Sequence, residues 1–145
     1  MNAAARACVA LLWCVAALAA PGSAAIQIRD AWVRWLPGNL PAGGYLTVIN
    51  SGDRPISLTG ATCEAYGSVS LHRSREQGGV ANMSPVTAIT VRPHATLEFA
   101  AEGYHLMLQQ PKRALKPGDR IIITLTFASD APMPVQFDVR SPDAS

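Results

Sequence analysis

The sequence predicts an all-β, single-domain protein: a Greek-key β-sandwich of the cupredoxin-like or immunoglobulin-like type. Three observations carry that expectation. From Ile26 onward the chain runs in short apolar or alternating stretches, each closed by Gly, Pro, Asn, Asp or Ser. No window of about eleven residues holds a helical period. The turn signals recur at roughly ten-residue spacing, the interval at which sandwich strands follow one another.

Ahead of that texture stands a segment of a different kind. Arg6 is a lone positive charge, followed by an apolar run of 14 residues from Ala7 to Ala20 and then by Pro21-Gly22-Ser23-Ala24-Ala25. The run falls short of the ~20 residues that span a bilayer, and the small residues after it suit a signal peptidase. We therefore expect residues 1–25 to be a secretory signal cleaved after Ala25, with residues 26–145 forming the domain. A lipid-anchored start at Cys14 is disfavoured, because Trp13 is bulkier than the small residue that usually precedes such a cysteine.

The expected strands follow in order. Ile26–Val33 is the first, ended by the loop Trp35-Leu36-Pro37-Gly38-Asn39-Leu40-Pro41. Gly44–Asn50 is the second, and Ser51-Gly52-Asp53-Arg54-Pro55 stops it. In Ile56–Thr62, Ile56, Leu58 and Gly60 alternate with Ser57, Thr59 and Ala61. Gly67–Arg73 and Val80–Met83 flank Gly78-Gly79, a hairpin signal that places His72 and Met83 on adjoining strands or their connection. Ile89–Val91 and Thr96–Phe99 flank the turn Arg92-Pro93-His94-Ala95. His105–Leu108 is entered through Gly103, Ile121–Phe127 is the most β-prone run, and Val135–Val139 closes the domain. Eight or nine strands in the 120 residues after the signal make one sandwich with a sizeable core.

Charge excludes several functions. Arg6 leaves with the signal, so 11 basic residues face 10 acids and the mature chain carries +1. Nothing in that balance attracts nucleic acid or, once the signal is gone, an anionic membrane. Cys8 and Cys14 leave as well, so Cys63 has no intramolecular disulfide partner and is expected to be buried and inert.

The chemistry lies in histidine and methionine. In Glu102-Gly103-Tyr104-His105-Leu106-Met107-Leu108-Gln109, strand alternation sends His105 and Met107 to one face and Leu106 and Leu108 to the other. An imidazole beside a thioether is half of a soft-metal site, and His72 and Met83 offer the other half. Ten residues separate His72 from Met83, twenty-one separate Met83 from His105, and one separates His105 from Met107. Two thioethers and two imidazoles form a neutral, soft set that favours Cu(I) over Cu(II) and hard cations. Thioethers need no deprotonation and cannot be lost to a disulfide.

That spacing, with Asp30-Ala31-Trp32-Val33-Arg34, Pro41-Ala42-Gly43-Gly44-Tyr45, Gly103-Tyr104-His105-Leu106-Met107-Leu108 and Leu115-Lys116-Pro117-Gly118-Asp119, closely resembles the PCuAC-type periplasmic copper chaperones. The resemblance covers nearly the whole mature chain. It implies a monomeric, periplasmic Cu(I) carrier ligated by His72, Met83, His105 and Met107. The acceptor it implies is the copper centre of cytochrome c oxidase or another respiratory oxidase, reached in concert with a Sco-type thiol protein. Two departures stand out. Ala81 occupies a position where many relatives carry another methionine, and the chain has no His- and Met-rich tail, which puts a second copper site in doubt. Met133, between two prolines, reads as loop or core, and His94 as a solvated turn residue.

Other classes fit less well. A blue-copper electron carrier needs a Cys thiolate just before a His, and Cys63 stands nine positions before His72. A metal-free structural or adhesive sandwich would leave the four residues without a role. For an enzyme the chain offers no nucleophile elbow, paired carboxylates or phosphate loop.

Overall fold

The computed structural model describes residues 25–144. The expected signal therefore lies outside the described residues except for Ala25. Ten strands and no helix make up the described chain: β1 (Ile26–Arg34), β2 (Ala42–Asn50), β3 (Ile56–Cys63), β4 (Tyr66–Gln77), β5 (Val80–Pro85), β6 (Ile89–Val91), β7 (Ala95–Glu98), β8 (Tyr104–Pro111), β9 (Arg120–Phe127) and β10 (Met133–Arg140). Ten are found where eight or nine were expected. The turn at Arg92–His94, with His94 at φ 54°, sends β6 to pair with β3 and β7 to pair with β2, so the two cannot merge.

The hydrogen-bonded order is β5-β4-β8-β2-β1-β10-β9-β3-β6. An additional pairing, Ala61 on β3 with Val69 on β4, joins the two sides. The sandwich thus closes into a flattened, cupredoxin-like barrel, with β1 and β10 as its parallel pair among otherwise antiparallel neighbours. Alternation accounts for the core: Ile121, Ile123, Leu125 and Phe127 of β9 point inward against Leu46, Leu106, Leu108 and Phe137. Burying those side chains contributes on the order of 2 kcal/mol each.

Two departures from plain alternation matter for the outer face. In β1 the pairs run Ile28 with Val48 and Arg29 with Thr47, then resume at Trp32 with Tyr45, so β1 carries one extra residue. Asp30 takes φ 51° at this bulge. The inward set changes from Ile26 and Ile28 to Val33, which leaves Trp32 and Arg34 on the outer face. In the β4–β5 hairpin, Gly78 and Gly79 adopt φ 64° and 78°, the conformation of a tight two-residue turn that glycine enters without strain. The turn is only those two residues, so β4 runs on through Gln77.

A buried amide ties the loops together at one end of the barrel. Asn50, 1% exposed, donates through Nδ2 to the carbonyls of Arg54 (2.7 Å), Val91 (3.2 Å) and Arg92 (3.1 Å), while its Oδ1 accepts from Gly52 N–H at 3.0 Å. Cys63 is free and half-buried rather than buried. It ends β3 at the barrel rim, beside Lys112, Arg113 and Arg120 around an open cleft of about 720 Å³. Met133 opens β10 and packs against the core, and His94 is exposed with its Nε2 2.8 Å from Asp53 Oδ1.

Candidate metal centre

Strand β8 is set by the turn before it. Ala100 N–H donates to the Tyr104 carbonyl and Gly103 N–H to the Ala100 carbonyl, at 2.9 and 3.0 Å. The chain leaves this turn with Leu106 and Leu108 fully inside and His105 and Met107 on the opposite face. Pairing with β4 puts His105 directly opposite His72 and Met107 directly opposite Ser70. Across the hairpin Met83 lies opposite Ser74, and Pro85 opposite His72. Ser70, His72 and Ser74 alternate onto one face of β4, so all four predicted residues share that face.

His72 is the hub of this arrangement. His105 is its cross-strand partner, with ring centroids 5.9 Å apart and planes at 35°. Met107 and Met83 are its diagonal neighbours on either side, at the ~7–8 Å backbone separation that long side chains bridge. The two methionines stand at opposite levels, roughly 16 Å apart by strand spacing and rise. The structure therefore brings His72, His105 and Met107 together. It leaves Met83, 52% exposed on a β5 with no buried residue, midway along the hairpin between the Gly78-Gly79 turn and His72.

The imidazoles carry an unfilled valence. His105 is 4% exposed, and its Nδ1–H donates to the Gly103 carbonyl at 3.1 Å. A carbonyl can only accept, so that bond puts the proton on Nδ1 and leaves a lone pair on Nε2. Nε2 is buried with no hydrogen-bond partner, as is Nδ1 of His72. His72 Nε2 bonds instead to Ser70 Oγ at 3.0 Å. Burial, and then the neighbouring His105, hold the His72 imidazole below its ordinary value, which keeps it neutral and free to ligate at pH 7. Two buried nitrogens without partners cost free energy in the empty protein that a soft ion between them would offset.

Sequence reasoning did not find the supports of these rings. The supports are the Gly103 carbonyl and the Ser70 hydroxyl. Each stands two residues before the histidine it holds; alternation puts Ser70 on the face of His72 and was the available signal for it, whereas the Gly103 carbonyl belongs to the turn before β8 and carried none. Among the described residues no three His, Cys, Asp or Glu side chains gather into a metal cluster.

The all-β, cupredoxin-like fold is that of PCuAC domains, as the solved structures it matches show. It is similar to the copper-bound PCuAC domain from PmoF2, with TM-score 0.69 and 27% identity over 81% of this chain and 94% of that one. It is also similar to the Cu(I)-bound DR1885 protein of Deinococcus radiodurans, with TM-score 0.66 and 31% identity over 87% of this chain and 83% of that one. Residues 26–139 match the family described as "Putative lipoprotein LpqE-like", and the chain belongs to that family. A curated relative, the "Putative lipoprotein Lxx21020" of Leifsonia xyli subsp. xyli (strain CTCB07), is 30% identical over 123 residues, which is 83% of this chain and 74% of the relative.

Proposed function

We propose that this protein is an exported Cu(I) carrier in which His72, His105 and Met107 form a standing half-site and Met83 completes it from the β4–β5 hairpin. One observation carries the reading above the others: His105, almost wholly buried, commits one nitrogen to the Gly103 carbonyl and leaves the other without a partner beside a second such nitrogen on His72. Neutral ligands leave the ion its positive charge, and ligand exchange to a partner offering thiolates can then remove it. Release by exchange is stoichiometric, so the protein acts as a carrier rather than an enzyme.

The copper-bound PCuAC structures support copper as cargo, and the resemblance to that family supports a respiratory oxidase centre as its destination, with a Sco-type thiol protein in the relay. The lipoprotein names of the relatives support export, and a signal ending at Ala25 is the route we propose for it. The deciding experiment is a competitive Cu(I) titration of the purified protein against a chromophoric chelator, beside a His105→Ala/Met107→Ala variant. One equivalent held by the wild type and lost in the variant is the expected outcome. If neither protein competes with the chelator, the carrier reading fails and a metal-free structural role takes its place.

A further inference from the structure

The outer face does not stop at the histidines. Register pairs Ser70 with Met107, Met107 with Gly43, Gly43 with Arg34 and Arg34 with Arg140, so one row crosses β4, β8, β2, β1 and β10. At the usual strand spacing, Arg34 stands about 10 Å and Arg140 about 14 Å from Met107. Beside them Trp32 and Tyr45 are stacked with centroids 4.7 Å apart. The Arg34 guanidinium lies 5.6 Å from the Trp32 ring and 5.4 Å from the Tyr45 ring, and that of Arg140 lies 5.0 Å from Trp32. Gly43 permits this packing, because a Cβ there would come within 2.6 Å of the Tyr45 hydroxyl.

We infer that this row is a docking surface for an acidic segment of the protein that exchanges Cu(I) with this one. The inference rests on the carrier reading and names the chemistry of the partner. Charge complementarity supports it. The ion pairs of the described residues join Arg54 to Asp130, His94 to Asp53 and Arg120 to Asp138, so Asp138, the carboxylate opposite Trp32, is already engaged and none of these pairs involves Arg34 or Arg140. Arg34 also uses its fork by half: Nη2 donates to the Ala144 carbonyl at 3.1 Å, while Nε is covered and has no partner. A carboxylate that displaces that carbonyl takes both N–H groups in a bidentate pair. Tryptophan and arginine are among the residues that dominate binding at protein interfaces, and here Trp32 and Arg34 stand two strands and Arg140 three from the ligand strand, with Tyr45 buried as their backing. A partner seated on them delivers its own copper ligands to the Met107 side of the site.

The test uses two synthetic acceptor peptides, each with a Cys-x-x-Cys copper site, one carrying a run of glutamates and the other glutamines. Stopped-flow transfer from the Cu(I)-loaded wild type should be about tenfold faster to the glutamate peptide, with the advantage fading as salt rises. In Arg34→Gln/Arg140→Gln the advantage should vanish while chelator-measured Cu(I) affinity stays unchanged. Arg140→Gln alone, which breaks no hydrogen bond, should show an intermediate loss and guards against misfolding of the double variant. Arg54→Gln/Arg92→Gln removes the same charge at the Asn50 end of the barrel, distant from this face, and should keep the advantage. An advantage that survives in the double variant, or that disappears equally in the distant one, overturns the inference. So does a sedimentation result in which the wild type dimerises through Arg34 and Arg140, since the face would then belong to a second copy. If the wild type binds no copper, the carrier reading falls by itself. Docking is then read on the apo protein, where a Trp32 indole shift with the glutamate peptide alone sustains it and no shift overturns it.

Discussion

Asn50 and His105 are the two buried polar side chains of the barrel wall, and they are buried on opposite terms. Asn50 reaches four backbone groups and fills every one of its obvious bonding directions. His105 makes one bond, to the Gly103 carbonyl, and holds a second nitrogen in the protein with nothing to bond. A fully satisfied buried group fixes structure, whereas a half-satisfied one costs stability unless something else completes it. The difference separates the residue that builds the fold from the residue that waits for cargo.

The contrast can be broken by substitution. Asn50→Ala strands three carbonyls and one N–H, and should lower unfolding free energy by about 3 kcal/mol in urea denaturation while leaving Cu(I) affinity unchanged. His105→Phe should invert that pattern, with stability within about 1 kcal/mol of wild type and Cu(I) affinity down by ~100-fold or more in chelator competition. Equal stability losses in the two variants would erase the distinction. Ser70→Ala sharpens it at smaller scale: without the hydroxyl the His72 ring loses its orienting bond, and Cu(I) affinity should fall about tenfold with little change in stability.

The smallest expected effect is on pH. The folded protein holds His72 below the ordinary histidine value of 6.5. Between the two values the unfolded chain binds more protons than the native one, so stability rises with pH there and is lost as the solution is acidified from about 6.5 downward. His72→Gln should flatten that part of the apo protein's stability profile, and an unchanged slope would show that the ring is not responsible. Cu(I) affinity should weaken over the same range, because protons compete for the imidazoles but not for the thioethers.

The strands were legible because their period of two is written in residues such as Ile121, Ile123 and Leu125, and because Gly78-Gly79 permits one kind of turn. The common face of His105 and Met107 followed from the same rule. The level of Met83 did not, since it depends on which residue of β4 faces it, and β4 runs on to Gln77 rather than ending at Arg73 as expected, which sets Met83 opposite Ser74. Closure of the sandwich was equally silent: Ala61 and Val69 carry no signal that they pair. The row from Ser70 to Arg140 needs five strands in register, and only the folded chain supplies it.

The bulge at Asp30 gives that row a peculiar fragility. Were β1 to pair by plain alternation with all its residues kept, every position past Asp30 would change sides, with Val33 turned toward water and Trp32 and Arg34 driven into the barrel. The extra residue absorbs that offset, so deleting Asp30 would straighten the strand yet leave Trp32 and Arg34 outside. The reading frame of the face is thus kept by one residue that bears no part of its chemistry. Point substitutions along β1 erode the surface a side chain at a time, but a one-residue insertion past the bulge would exchange it for the core.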